Sequence, residues 1–293
     1  MRPLDVPREA ATWARKYLVP PRYRREERLR LVADDGTRLA AARLEGPPST
    51  PLTVVLLHGF SGSSRLPVMH AFARRLASEV NVVVPDLRGH GQSKGRCTLG
   101  RQEARDVAAA VAAAPPGFPV VTVGVSLGAA AAILHAGTYG GVAGTVALSG
   151  PGWWGPFDRE GAIRVEQMTA RATGRALLAA LLRTRVATGE QVATGDGGAI
   201  EAQDVVAAIA PAFMLMVHDP DDRYFGPEHP EHLYRCAQEP KDLWWVPGAG
   251  HGTDLLTPEL ADRLLPEVIG AVRSNAGARA PGGARAPELA LPA

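Results

Sequence analysis

Cysteine is nearly absent: Cys97 and Cys236 are the only two in 293 residues. So placed, they make neither a disulfide framework nor a metal-ligand spacing, and they are expected to be inert thiols in a reducing compartment. Net charge is lacking too, with 32 Lys and Arg against 30 Asp and Glu. No chain-wide field favours nucleic acid or an anionic membrane, and no nucleic-acid partner is expected. The Arg-rich stretch from Arg22 to Arg30 is broken by Glu26 and Glu27 and reads as a solvated face. The first twenty residues carry Asp5, Arg8, Glu9, Arg15 and Lys16 in place of the apolar run of a secretory signal, so a cytoplasmic location is expected. Val120 to Gly137 is apolar, but Thr122, Gly124, Ser126, Gly128 and His135 interrupt it. It reads as a buried strand and a buried helix, and no membrane span is expected.

What is present, at 46% hydrophobic residues, suits one large core or a core with a modest insertion. Two strand-like runs between Arg28 and Leu44 flank Asp35-Gly36, a dipeptide that tolerates the positive φ of a hairpin turn. Short β-branched runs then alternate with helical stretches. Strands are expected at Thr53 to Leu57, Asn81 to Val84, Val120 to Val125, Gly144 to Leu148, Phe213 to Val217 and Leu243 to Val246. Helices are expected at Leu66 to Ser78, Arg101 to Ala113, Leu127 to Ala136 and Pro258 to Arg273. Strands apolar on both faces imply an α/β fold: a mostly parallel central sheet with helices on both faces.

Between Pro151 and Pro211 the alternation lapses, and Leu177, Leu178, Leu181 and Leu182 form one helical stripe beside Arg175, Arg183 and Arg185. This reads as a small inserted helical cap whose stripe packs onto the core in preference to touching substrate. The expected organisation is an N-terminal arm over 1–26, the first part of the core over 27–150, the cap over 151–211, the second part of the core over 212–273, and a disordered tail over 274–293.

Two segments match G-x-S-x-G: Gly91 to Gly95, around Ser93, and Gly124 to Gly128, around Ser126. The chemistry of a serine nucleophile needs a strand that ends abruptly and a helix that begins at once, so that the hydroxyl stands exposed on a strained turn. Only Ser126 has that setting; Ser93 follows the loop signature Arg88-Gly89-His90-Gly91. A helix beginning at Ser126 leaves the Leu127 N–H without an intrahelical partner and aimed at developing negative charge. The loop His58-Gly59-Phe60-Ser61-Gly62 can fold toward it and present the Phe60 N–H as a second oxyanion donor. His58 is read as structural. Asp86 and His90 are read as holding their loop together, and His229, Glu231 and His232 as a solvated helix start that binds no metal.

With these pieces in order, the sequence resembles the α/β-hydrolase superfamily over roughly residues 27 to 273, as a serine-nucleophile, esterase- or lipase-like member. The resemblance rests on the His58-Gly59 turn, the Pro85-to-Ser93 loop, the Ser126 elbow, and Gly248-Ala249-Gly250-His251-Gly252. It implies the order Ser, acid, His, which makes His251 the base. It also implies an acid after the strand Phe213 to Val217, where the family usually carries Gly-x-x-Asp. Here the segment reads His218-Asp219-Pro220-Asp221-Asp222-Arg223-Tyr224-Phe225. With Asp219 in place of the glycine, Asp222 becomes the acid, and Asp221 is the alternative.

The expected activity is hydrolysis of a carboxylic ester of a small or medium acyl group through an acyl-enzyme, without cofactor or metal. Thioesterase, amidase and acyltransferase variants share the scaffold. The other reading is a non-enzymatic protein that holds an apolar small molecule on the same fold. An HGGG run before the elbow is missing, which weakens kinship with esterases that use that broader oxyanion loop.

Overall fold

Runs such as Thr-Val-Val-Leu-Leu and Asn-Val-Val-Val-Pro have no polar face to offer water, and in the computed structural model they are buried throughout at the centre of a sheet. The structure describes residues 26–188 and 200–278; the arm before Glu26 lies outside them. The strands are β1 (Glu26–Val32), β2 (Arg38–Leu44), β3 (Thr53–Leu57), β4 (Asn81–Pro85), β5 (Val120–Val125), β6 (Gly144–Leu148), β7 (Phe213–His218) and β8 (Lys241–Trp245). They form one eight-stranded sheet in the order β1-β2-β4-β3-β5-β6-β7-β8. Pairing is antiparallel for β1 with β2 and β2 with β4, and parallel from β4 to β8. The β1–β2 turn places Gly36 at φ 81°, the conformation its Asp-Gly dipeptide anticipates.

The helices are α1 (Pro67–Leu76), α2 (Glu103–Ala112), α3 (Leu127–Thr138), α4 (Glu160–Ala170), α5 (Ala172–Leu182), the single turn α6 (Ala202–Val205), α7 (Glu228–Cys236) and α8 (Pro258–Ala278). Proline opens both α1 and α8, where its fixed φ suits a first turn and its missing N–H costs nothing. One face of the sheet is covered by α1 and α8, with Met69, Phe72, Leu76, Leu264 and Val268 in a common cluster. Against the other lie α2, α3 and α7, through residues such as Val107, Ile133 and Leu233. Ten residues of α3, five of them alanines, are buried, and that small-residue surface lets the helix lie close to β5 and β6. The insertion between β6 and β7 carries α4, α5 and α6. Among the described residues, no helix is long and apolar enough to cross a membrane.

Most boundaries fall within two residues of the sequence reading, and two of the shifts have a plain cause. β8 runs from Lys241 to Trp245, two residues earlier at its start than expected, because its backbone pairing with β7 begins at Lys241 opposite Met214. As an edge strand it needs no unbroken apolar run. α8 continues to Ala278, past the boundary drawn at Arg273, since an established helix adds residues without new burial. The rest of the expected tail lies outside the described residues.

Candidate active site

Ser126 sits where β5 stops and α3 starts, at φ 52° and ψ −113°. A serine in that region is strained, and its neighbours hold it there. Its N–H donates to the Leu148 carbonyl at 2.8 Å, and its own carbonyl accepts the Ala129 and Ala130 N–H groups. Glycines make the turn possible: a Cβ on Gly124 would lie 2.2 Å from the Gly128 carbonyl oxygen, and one on Gly128 2.6 Å from that of His58.

Two loops at the same end of the sheet converge on the Ser126 hydroxyl. The His251 Nε2 lies 3.0 Å from Ser126 Oγ, and its Nδ1 lies 2.7 Å from Asp222 Oδ2. Asp222 is fully buried, and its Oδ1 accepts the N–H of Tyr224 at 2.7 Å and of Phe225 at 3.3 Å. Burial pushes this carboxyl up, but the hydrogen bond and charge of His251, the Tyr224 N–H and the nearby His218 outweigh it and hold the pKa below the usual value. With Nδ1–H donating to Asp222, Nε2 turns its lone pair to the serine hydroxyl. Such a chain can draw off the hydroxyl proton and stabilise the imidazolium that results. Tyr224 stacks on the His251 ring at a centroid distance of 4.1 Å. Asp221 stands apart, exposed, with its N–H on Asp219 Oδ1.

The loop after β3 reaches the elbow from the other side. A Cβ on Gly59 would lie 3.3 Å from Ser126 Cβ, and Phe60 lines the cavity beside the serine. Leu127, the other expected oxyanion donor, opens α3 directly after Ser126. His58, fully buried, accepts the Leu87 N–H at Nε2 and therefore donates through Nδ1 to the Gly59 carbonyl. Asp86 accepts the N–H groups of Ser64 and Gln92. Ser93 is buried, donating to the Asp86 carbonyl and accepting from the Ala40 N–H. Its hydroxyl is consumed by structure.

A sequence model of the alpha/beta hydrolase family matches residues 54–264. The chain belongs to the alpha/beta hydrolase family. Uncharacterized protein YfhR of Escherichia coli O157:H7 is 26% identical over 235 residues, 77% of this chain and 73% of that protein. Among solved structures, the esterase Pf2001 of Pyrococcus furiosus superposes with a TM-score of 0.63 at 18% identity, covering 87% of this chain and 97% of that one. The esterase RhEst1 of Rhodococcus sp. ECU1013 does so with a TM-score of 0.62 at 20% identity, covering 84% and 98%. At such identities the likeness to these structures is one of fold.

In this hydrolase a cavity of about 520 Å³ opens at Ser126 and His251, walled by Trp154, Phe157, Val165, Met168, Leu178 and Leu182 among others. The leucine stripe of α5 therefore does not pack onto the core as expected. Leu178 is buried and lines the cavity with Leu182, while Leu177 and Leu181 are 52% and 71% exposed. The helix lies over the site, outside the layer that covers the sheet. His229 also departs from its solvated reading: it is buried, its ring stacks on Trp153, and its Nδ1 accepts the Gly152 N–H.

Buried imidazoles give the hydrolase an acid weakness. Burial lowers the pKa of His90 to about 3, with His58 and Arg185 adding to the effect, and that of His135 and His229 to about 4. His58 and His218 are shifted the same way by burial. Between the ordinary histidine pKa of 6.5 and these values the unfolded chain binds protons that the folded one refuses, so stability falls as pH falls. Each such imidazole contributes a slope of up to about 1.4 kcal/mol per pH unit. Asp106, raised to about 6 by burial against the pull of Arg88, and Glu26, raised by burial, oppose this. Melting followed by circular dichroism is expected to show a Tm dropping steadily from pH 7 to pH 4.5. A flat or rising Tm would contradict it.

Proposed function

We propose that this hydrolase cleaves carboxylic esters through an acyl-enzyme intermediate. The observation that carries the reading is the continuous hydrogen-bonded chain from Ser126 Oγ through His251 to the buried Asp222. His251 takes the Ser126 proton as Oγ attacks the ester carbonyl, and the N–H groups of Phe60 and Leu127 receive the oxyanion. Collapse expels the alcohol, which takes its proton from His251. Water, deprotonated by the same imidazole, then attacks the acyl-enzyme, and the carboxylic acid leaves with Ser126 restored.

The mostly apolar cavity supports a small or medium acyl group as the substrate part held there. The names of the esterases with similar folds agree with an ester. An intact chain of three groups weighs against the reading as a non-enzymatic binding protein. Cys97 and Cys236 stand as free thiols, which supports a reducing, cytoplasmic setting.

A p-nitrophenyl ester series tests the proposal and maps the acyl pocket together. Specificity, as kcat/KM, is expected to peak at acyl chains of about four to eight carbons and to fall for longer ones that overfill the cavity. Failure to hydrolyse any member, with no labelling of Ser126 by a fluorophosphonate, would overturn the reading.

A further inference from the structure

His251 is carried by the glycine-rich loop 248–252, where Gly248, Gly250 and Gly252 all have positive φ, at 76°, 83° and 60°. A loop with that much backbone freedom does not by itself hold an imidazole to the tolerance that proton transfer requires. Three consecutive N–H groups of this loop are nevertheless each taken by a side chain. Gly250 N–H donates to Asp219 Oδ2 at 2.6 Å, His251 N–H to Asp254 Oδ2 at 3.3 Å, and Gly252 N–H to Ser149 Oγ at 3.1 Å. Asp254 belongs to the same stretch of chain, whereas Asp219 and Ser149 come from the ends of β7 and β6.

Asp219 does more than anchor one amide. It is 2% exposed, and while Oδ2 holds the His251 loop, Oδ1 accepts the Asp221 N–H at 3.0 Å. Its carbonyl accepts the Asp222 N–H at 3.0 Å. One residue thus ties the turn that presents Asp222 to the loop that presents His251, beyond the last backbone bond between the two strands, Val246 N–H to the His218 carbonyl at 2.9 Å. The 2.7 Å contact between His251 Nδ1 and Asp222 Oδ2 spans the two loops that this carboxylate bridges. Asp219 is not among the residues that line the cavity.

We infer that Asp219 is a positioning residue: it clamps the acid turn to the histidine loop and so aligns His251 for proton transfer without touching substrate. The inference rests on the Ser126–His251–Asp222 reading. It separates Asp219 from residues that only stabilise the fold, because a lost clamp loosens the base and leaves the binding cavity unaltered.

The test compares Asp219→Ala and Asp219→Asn with the unaltered protein by p-nitrophenyl ester kinetics and by the rate of fluorophosphonate labelling at Ser126. Asp219→Ala is expected to lower kcat and the labelling rate about 10- to 100-fold with KM within about threefold. Asp219→Asn keeps an oxygen that can accept the Gly250 N–H and is expected to recover to within about tenfold of the unaltered protein. A folded Asp219→Ala, by near-ultraviolet circular dichroism, that labels and turns over at the unaltered rate would overturn the inference while leaving the Ser126 assignment standing. If the unaltered protein is not labelled at Ser126, both fall. Should Asp219→Ala not fold, the unaltered protein still decides through amide hydrogen exchange by NMR. A Gly250 amide strongly protected supports the clamp, and one exchanging as a free amide refutes it.

Discussion

Ser126→Ala is expected to reduce ester turnover by about four orders of magnitude or more, because no other group at the elbow can form the covalent bond to the acyl carbon. The fold should survive. Its hydroxyl contacts only His251 among the hydrogen bonds seen, while the backbone bonds that fix the turn need no side chain. The matched control is Ser93→Ala, in the other G-x-S-x-G segment. That change strands the half-buried Ala40 N–H and is expected to cost about 1–3 kcal/mol of stability, yet to leave turnover within about tenfold. Equal losses of activity from the two folded variants would show that the elbow has been misassigned.

Asp222→Asn is expected to cost about a thousandfold or more in kcat, through tautomer rather than shape. The amide oxygen can stand at Oδ1 and keep the N–H bonds of Tyr224 and Phe225. The amide nitrogen then faces His251 Nδ1 where a carboxylate oxygen now accepts. Nδ1 becomes the acceptor, Nε2 carries the proton, and the imidazole has no lone pair to turn toward Ser126. Asp221→Asn should change kcat little, since Asp221 is exposed and engages Asp219 only through its backbone. Circular dichroism establishes that both variants fold before their rates are compared. A crippled Asp221→Asn beside an active Asp222→Asn would move the acid by one position.

Much of this was legible because its determinants are local. A β-branched run, Gly-x-Ser-x-Gly and an alanine-rich helix lie within Val120 to Ala136, and that segment alone specifies the strained turn at Ser126. The Asp-Gly turn between β1 and β2 is local in the same sense. Choosing Asp222 over Asp221 took more: the residues by themselves left both open, and the spacing implied by resemblance selected between them. What stayed hidden is held by distant partners. Asp219 registers in the sequence only as a departure from an expected glycine, and its bond to Gly250 spans 31 residues. Ser149 gives no signal at all, since its bond to Gly252 spans 103. The leucines of α5 show why an apolar stripe is ambiguous: periodicity reveals that a face is greasy, but not whether it meets the core or a cavity.

The strand order also governs when during synthesis the site can exist. Starting from β3, each strand joins the sheet at a free edge: β4 on one side, then β5, β6, β7 and β8 in succession on the other. None of these has to be threaded between strands already paired. From β3 onward the emerging chain can therefore lay down its sheet in the order in which it is translated, while the β1–β2 hairpin, made first, waits for β4 to dock on. The serine elbow follows β5, the acid turn follows β7, and the histidine arrives only after β8, 125 residues beyond the serine. A nascent chain can carry a finished elbow while the 125 residues that follow it are made, yet it lacks the imidazole until β8 is in place. The proposed reactive centre is completed only once β8 has paired with β7.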